Sequence, residues 1–390
     1  MRTIAVVTTS RADWGIYRPL LAAIQAEPDL ELKLIISGMH LSPEFGLTAQ
    51  RIVAEGWPVA AQVEMLLSSD SAQGVAKSMG VGIMGYAQAL AQLGPDLLVA
   101  LGDRFEMLAA VLAALPLGIP VAHLHGGELT QGATDDAARH AITKLSHLHF
   151  VATEDYARRV RQMGEEPWRI MVTGALSLDN LGQMELLDRP ALERKLGLPL
   201  DLGPLLVTFH PETLSPGQGP RQMGQLLAAL EEAGRQAIFT LPNADAGGRE
   251  LIALIQEFVG RHPWAHIRDN LGALNYFSLM ALAGAMVGNS SSGIIEAPSL
   301  GLPVVNIGSR QDGRTRATNV IDVGHDSRQI AEGIARALEP GMKERLRSAP
   351  NPYHRGGASG LIVARLRKVE LGQRLLVKRF ADLQCQEQAS

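Results

Sequence analysis

Short polar stretches hold the residues that can do chemistry, and each follows an apolar run. The densest is Gly288-Asn289-Ser290-Ser291-Ser292-Gly293, ahead of the apolar Ile294-Ile295 and Glu296. A strand that ends in small hydroxyl residues and passes into a helix offers free N–H groups, serine donors and partial positive charge, a combination that binds phosphate. An N-capping serine accounts for one serine of the three, so the run reads as a cradle for a diphosphate. Glu296, on the first turn of that helix, either accepts bonds from ribose hydroxyls or complements the helix dipole. Arg310, Arg314 and Arg316 follow the next apolar run and can close over phosphates. Arg11, behind the first apolar run, either reaches a phosphate or sits at the surface beside a helix start. The loop there has neither the G-x-G-x-x-G fingerprint nor a Walker A pattern.

Groups suited to proton transfer cluster elsewhere. Asp103 follows Gly102 at the end of an apolar run; it either projects at a sheet edge or caps a helix. His125-Gly126-Gly127-Glu128 brings backbone and two titratable side chains close to any ligand. Asp135, Asp136, Arg139, His140, Lys144, His147 and His149 come next. Five of the eleven histidines lie between His123 and His149, a density that is costly unless solvated or functional. A metal site is the first alternative: His123 with His125, and His147 with His149, each share a strand face. No cysteine or compact carboxylate set completes either pair at a familiar spacing, so no metal is expected. His210 ends an apolar run beside Pro211, either as a structural residue or facing a ligand. Asn243 lies in an Asn/Asp/Gly loop that either contacts the ligand or is an ordinary turn.

The elements that must position these groups alternate. Strands are expected at 4–8, 32–37, 97–101, 120–124, 149–152 and 170–172. Helices are expected at 19–26, after a loop at 9–15, and at 107–115. The pattern restarts with strands at 205–209, 236–240, 286–288 and 304–307, and helices at 221–233 and 249–261. Stretches apolar on both faces are those of parallel strands covered by helices. The fold class is therefore α/β, with two doubly wound, Rossmann-like parallel-sheet domains facing a cleft. The expected division is 1–178 and 179–360. An amphipathic helix at about 361–383 packs back on the first domain, after a Pro- and Gly-rich crossing at 350–360. Ligands bind outside the carboxyl ends of such strands, so the cleft is the expected site.

Length and composition agree. The chain has 390 residues, 46 % hydrophobic and 19 % charged, which suits two ordinary soluble domains. A net charge of -4 argues against nucleic acid as a partner. Cys385 is the sole cysteine, so no intrachain disulfide forms, and no signal-peptide pattern opens the chain. The expected location is cytoplasmic. The apolar stretch 107–121 is too short for a membrane span and is broken by Pro116 and Pro120.

Taken together, the motifs SRADWG (10–15), GDRFE (102–106), HLHGGE (123–128), DDAARHAITK (135–144), HPET (210–213), NADAG (243–247), GNSSSG (288–293), RQDG (310–313) and NPY (351–353) resemble the hydrolysing UDP-N-acetylglucosamine 2-epimerases of bacterial sialic acid synthesis. They run in family order over nearly the whole chain. The resemblance implies a fold like the B-type glycosyltransferases (GT-B-like), no cofactor, and a homodimer or homotetramer. It implies conversion of UDP-N-acetylglucosamine and water to N-acetylmannosamine and UDP, by elimination of UDP to a glycal and addition of water. The same chemistry on a UDP-2,4-diacetamido-trideoxyhexose, and a non-hydrolysing epimerase, are the alternatives. The implied catalytic set is Asp103, His125, Glu128, Asp135 and His210. The implied UDP-binding set is Arg11, His210, Asn243, Ser290, Ser291, Glu296 and Arg310. Non-hydrolysing relatives carry Glu where this chain has His125, so the proton-transfer role falls to His125, Glu128 or Asp103.

Overall fold

The computed structural model describes residues 1–69, 71–131, 134–212, 217–242, 247–268 and 271–382. Two parallel sheets organise the chain. The first contains β1 (Arg2–Thr8), β2 (Leu30–Ser37), β3 (Val59–Val63), β4 (Leu97–Leu101), β5 (Val121–Leu124), β6 (Leu148–Val151) and β7 (Ile170–Val172), in the order β3-β2-β1-β4-β5-β6-β7. The second contains β8 (Leu205–Thr208), β9 (Ala237–Phe239), β10 (Ala265–Ile267), β11 (Ala285–Gly288), β12 (Val304–Ile307) and β13 (Val320–Val323), in the order β10-β9-β8-β11-β12-β13.

Central strands such as β4, β8 and β11 are buried along their whole length. Helices cover both faces, as the unbroken apolar runs require. Leu, Ile, Val and Ala dominate the packing. A buried aliphatic side chain contributes roughly 1.5–3 kcal/mol, so so large a set holds the sheets with few aromatics. The edge strands β3, β10 and β13 escape a reading based on apolar runs. β3 alternates half-buried and exposed residues until Val63, β10 is three residues long, and β13 has no fully buried residue.

The first helix runs over Arg11–Ala26, where the sequence reading has a loop at 9–15 and a helix only from 19. A capping box at Ser10 and Asp13 starts it early. Pro19 lies inside this helix and cannot donate to the Gly15 carbonyl one turn back. Asn180 Nδ2 donates to that carbonyl instead, at 2.5 Å. The segment joining the two sheets is thereby pinned beside the first strand–helix turn.

Near the C-terminus, the single helix expected at 361–383 is two pieces. Ala358–Lys368 packs on Arg11–Ala26, and Arg2 Nη1 donates to the Leu366 carbonyl at 2.8 Å. Asp179 receives the Ala358 and Ser359 N–H groups at 3.0 and 2.6 Å, a carboxylate at a helix N-terminus. Val369 is extended and Gly372 has φ 135°, so the chain restarts only as the single turn Gln373–Leu376.

Candidate active site

Each sheet reverses its strand order once, between β1 and β4 and between β8 and β11. Crevices open outside the strand ends at such points. The two crevices face each other and form one cleft of about 400 Å³. Arg11, Asp103, His125, Glu128, Asp135, His210, Ser290, Ser291, Glu296 and Arg310 all line it. Asn243 lies outside the described residues.

The second domain supplies mostly neutral donors. Asn289 locks the ends of β8 and β11 together: its Oδ1 accepts from the His210 N–H at 2.7 Å, and its Nδ2 donates to the His210 carbonyl at 2.9 Å. Gly288 has φ 135°, and a Cβ there would stand 1.9 Å from the Thr208 carbonyl oxygen. Only glycine allows that approach. The helix behind the serines, Ser292–Ile295, is a single turn. Glu296 closes that turn as its C-terminal cap and does not lie in its first turn. A macrodipole is therefore a minor contributor here, and what the run presents to the cleft is its three serines. Burial pushes the Tyr276 phenol up to about 12, against hydroxyl contacts with Ser292, Thr208 and Ser290. Glu296 is likewise driven up, to about 7, by burial that its bonds to the Ser177 and Ser292 hydroxyls only partly offset.

Of the three arginines expected over the phosphates, Arg310 lines the cleft next to the serine run, with Nη1 3.3 Å from the Asn289 carbonyl. Arg316 turns to Asp312 and Asp322, both at 3.2 Å. Arg314 crosses to the first domain and donates to Glu128 Oε2 at 2.5 Å. Arg268 also lines the cleft. No motif marked it, because it follows the short edge strand β10.

Charged pairs dominate the first domain's end. Asp103 accepts a hydrogen bond from Arg139. His123, beneath the loop, is held neutral by burial, which lowers its pKa to about 3. Its ring nitrogens meet the Gly102 carbonyl at 2.8 Å and the Thr143 hydroxyl at 3.1 Å, bracing the turn that carries Asp103. His147 accepts from the Val121 N–H at 3.1 Å and His149 pairs with Glu165 at 2.9 Å. The histidine-rich stretch is thus largely internal scaffolding. Among the described residues, no group of three or more His, Cys, Asp or Glu is gathered as for a metal.

His125 is different. Its φ is 63°, a left-handed conformation uncommon outside glycine. Its Nδ1 lies 2.7 Å from Glu128 Oε1. Burial alone would raise the Glu128 pKa, but Arg314 and His125 outweigh it and hold the carboxyl at about 2. An ionised Glu128 only accepts, so Nδ1 carries the hydrogen. In the neutral ring the lone pair then sits on Nε2, which is buried and has no hydrogen-bond partner among the described residues. Both Glu128 oxygens are engaged, which leaves the imidazole as the open group of the dyad.

Residues 22–367 match the family model described as UDP-N-acetylglucosamine 2-epimerase. The chain belongs to this family. A Campylobacter jejuni protein, GDP/UDP-N,N'-diacetylbacillosamine 2-epimerase (hydrolyzing), is 42 % identical over 82 % of this chain and 84 % of its own length. A Legionella pneumophila protein, UDP-N,N'-diacetylbacillosamine 2-epimerase (hydrolyzing), is 36 % identical over 97 % of this chain and 99 % of its own. The epimerase is a hydrolysing enzyme acting on a UDP-sugar. The solved structure of a Neisseria meningitidis UDP-GlcNAc 2-epimerase bound to UDP-GlcNAc has a TM-score of 0.78 at 22 % identity, covering 94 % of this epimerase and all of that chain. That likeness establishes the shared two-domain, GT-B-like fold. No helix among the described residues is long and apolar enough to cross a membrane.

Proposed function

We propose that the epimerase takes a UDP-2,4-diacetamido-trideoxyhexose of the diacetylbacillosamine type and water, and releases UDP and the C2-epimerised free sugar. The names of the two relatives at 42 % and 36 % identity support this substrate over UDP-N-acetylglucosamine. UDP-N-acetylglucosamine remains the second reading, on the description of the matching family.

The C2 proton is not beside a carbonyl, so no enolate stabilises its loss. The C1–O bond to UDP breaks as the C2–H bond breaks, leaving a C1=C2 glycal. Water then adds its oxygen to C1, and a proton returns to C2 from the opposite face. In this reading His125 Nε2 accepts the C2 proton, and Glu128 orients the ring and stabilises the imidazolium that forms. Asp103 and Asp135 stabilise positive character at C1. Arg11, His210, Arg310, Ser290 and Ser291 hold the departing diphosphate, and Glu296 meets the ribose. The observation that carries the reading is the buried, unpartnered Nε2 of a carboxylate-backed histidine, in the same cleft as the serine run.

Steady-state kinetics on the two UDP-sugars test the substrate. A kcat/KM at least about tenfold higher for the diacetamido sugar is expected, a difference of about 1.4 kcal/mol in transition-state binding. Preference for UDP-N-acetylglucosamine would restore the second reading.

A further inference from the structure

Glu128 belongs to the first domain, yet one of its two carboxylate oxygens is held from the second. It is 2 % exposed, and Arg314 is 8 % exposed. Arg314 lies between β12 and β13, and its Nη2 also reaches the Thr130 hydroxyl at 3.3 Å. The two loops touch closely: a Cβ on Gly313 would stand 2.3 Å from Leu129 Cδ1, at φ 78°. Arg310 opens the same loop and lies on the Asn289 carbonyl beside the serine run. One short segment therefore carries both a cation for the diphosphate end and the cation that holds Glu128.

A buried carboxylate deprived of its cation is driven toward the neutral acid. If the domains part, Arg314 leaves with its own sheet while Glu128 stays behind. A neutral Glu128 is a poorer acceptor for the His125 Nδ1–H, and the ring loses what orients it. We propose that Arg314 is a cross-domain positioning residue: by gripping Glu128 it sets the His125 imidazole for proton removal only when the two domains meet around the UDP-sugar. This rests on the reading of His125 as the proton acceptor.

The test uses the full chain with Arg314→Met, Arg314→Lys, His125→Asn and the double variant Glu128→Gln/Arg314→Met. Arg314→Met is expected to lower kcat by about 100-fold, the scale of a misplaced catalytic group. UDP affinity, read by calorimetry, should stay within about threefold, since a positioning residue acts on kcat rather than on binding. The His125 Nδ1–H signal in ¹⁵N NMR, identified by its loss in His125→Asn, should shift or vanish in Arg314→Met. Arg314→Lys keeps the charge without the planar fork and should recover part of kcat. The double variant should be no slower than Arg314→Met, because the two side chains act as one unit.

Wild-type kcat in Arg314→Met, with His125→Asn inactive, would overturn the proposal alone. So would a loss of UDP affinity matching the loss of kcat, which would make Arg314 a nucleotide ligand. If Arg314→Met does not fold, the double variant decides, and wild-type turnover there overturns the proposal. Full activity in His125→Asn would instead overturn the underlying reading of the base.

Discussion

Asp103–Arg139 and His125–Glu128–Arg314 at one end of the cleft are opposite charges held in contact. At the other end, Ser290, Ser291, Ser292 and Tyr276 are neutral hydroxyl groups, and the nearby carboxyl of Glu296 is driven toward its acid form. The first end pairs each charge with a counter-ion, Arg139 from the same domain and Arg314 from the other, so its charges are balanced within the protein. The second end offers neutral hydroxyls and the Arg310 cation to a ligand that carries its own negative charge. The difference matches the task proposed for each: moving a proton and stabilising a cation at the sugar, against holding a leaving diphosphate.

The largest expected effect is at the charged end. His125→Asn keeps a residue that tolerates the left-handed backbone but removes the imidazole. A fall in kcat of about 10²–10⁴ is expected, with UDP affinity retained. Near-normal turnover would strip the dyad of its role. Next comes Asp103→Asn, which leaves Arg139 without its counter-charge. Turnover should fall by about 10²–10³, again with UDP bound normally in calorimetry. Loss of UDP binding in either variant would blur the contrast between the ends.

At the neutral end, Gly288→Ala forces a methyl against the Thr208 carbonyl. Thermal unfolding should show a loss of roughly 2–4 kcal/mol, accompanied by weaker UDP binding. Unchanged UDP affinity would separate the serine run from the nucleotide.

The smallest effect is a pH dependence. Glu296 has its carboxyl at about 7 in the fold against 4.5 as the ordinary value. Between those pH values the unfolded chain loses a proton that the folded chain keeps, so stability falls as pH rises from 4.5 to 7. Glu296→Gln should remove that fall, a change on the order of 1–3 kcal/mol read from unfolding midpoints across the range. Glu128, held at about 2, has the opposite sign: it stabilises above 4.5, and that contribution is lost as pH falls toward 2. A Glu296→Gln profile parallel to wild type would mean that Glu296 is ionised in the empty cleft.

The sheets were legible because central parallel strands are unbroken apolar runs, and the polar residues behind them mark the strand ends. That logic placed Arg11, Asp103, His125, His210, Ser290 and Arg310 in one cleft. Short edge strands such as β10 carry little signal, so Arg268 passed unmarked. The helix Ala72–Leu93 also went unread; four glycines dilute its pattern, two of them packed against Val63 and Met65 where a Cβ would collide. Arg314 was visible as a cation but not as a partner of Glu128. Contacts between residues 186 positions apart in sequence come from how two domains meet, and no local spacing records them.

The most direct test follows the C2 proton itself. The enzyme is given the UDP-diacetamido sugar in D₂O and watched by proton NMR. Free UDP together with an epimerised sugar carrying deuterium at C2 is the predicted result, absent in His125→Asn. UDP released with the C2 proton retained would contradict proton removal at C2 and, with it, the assignment of His125.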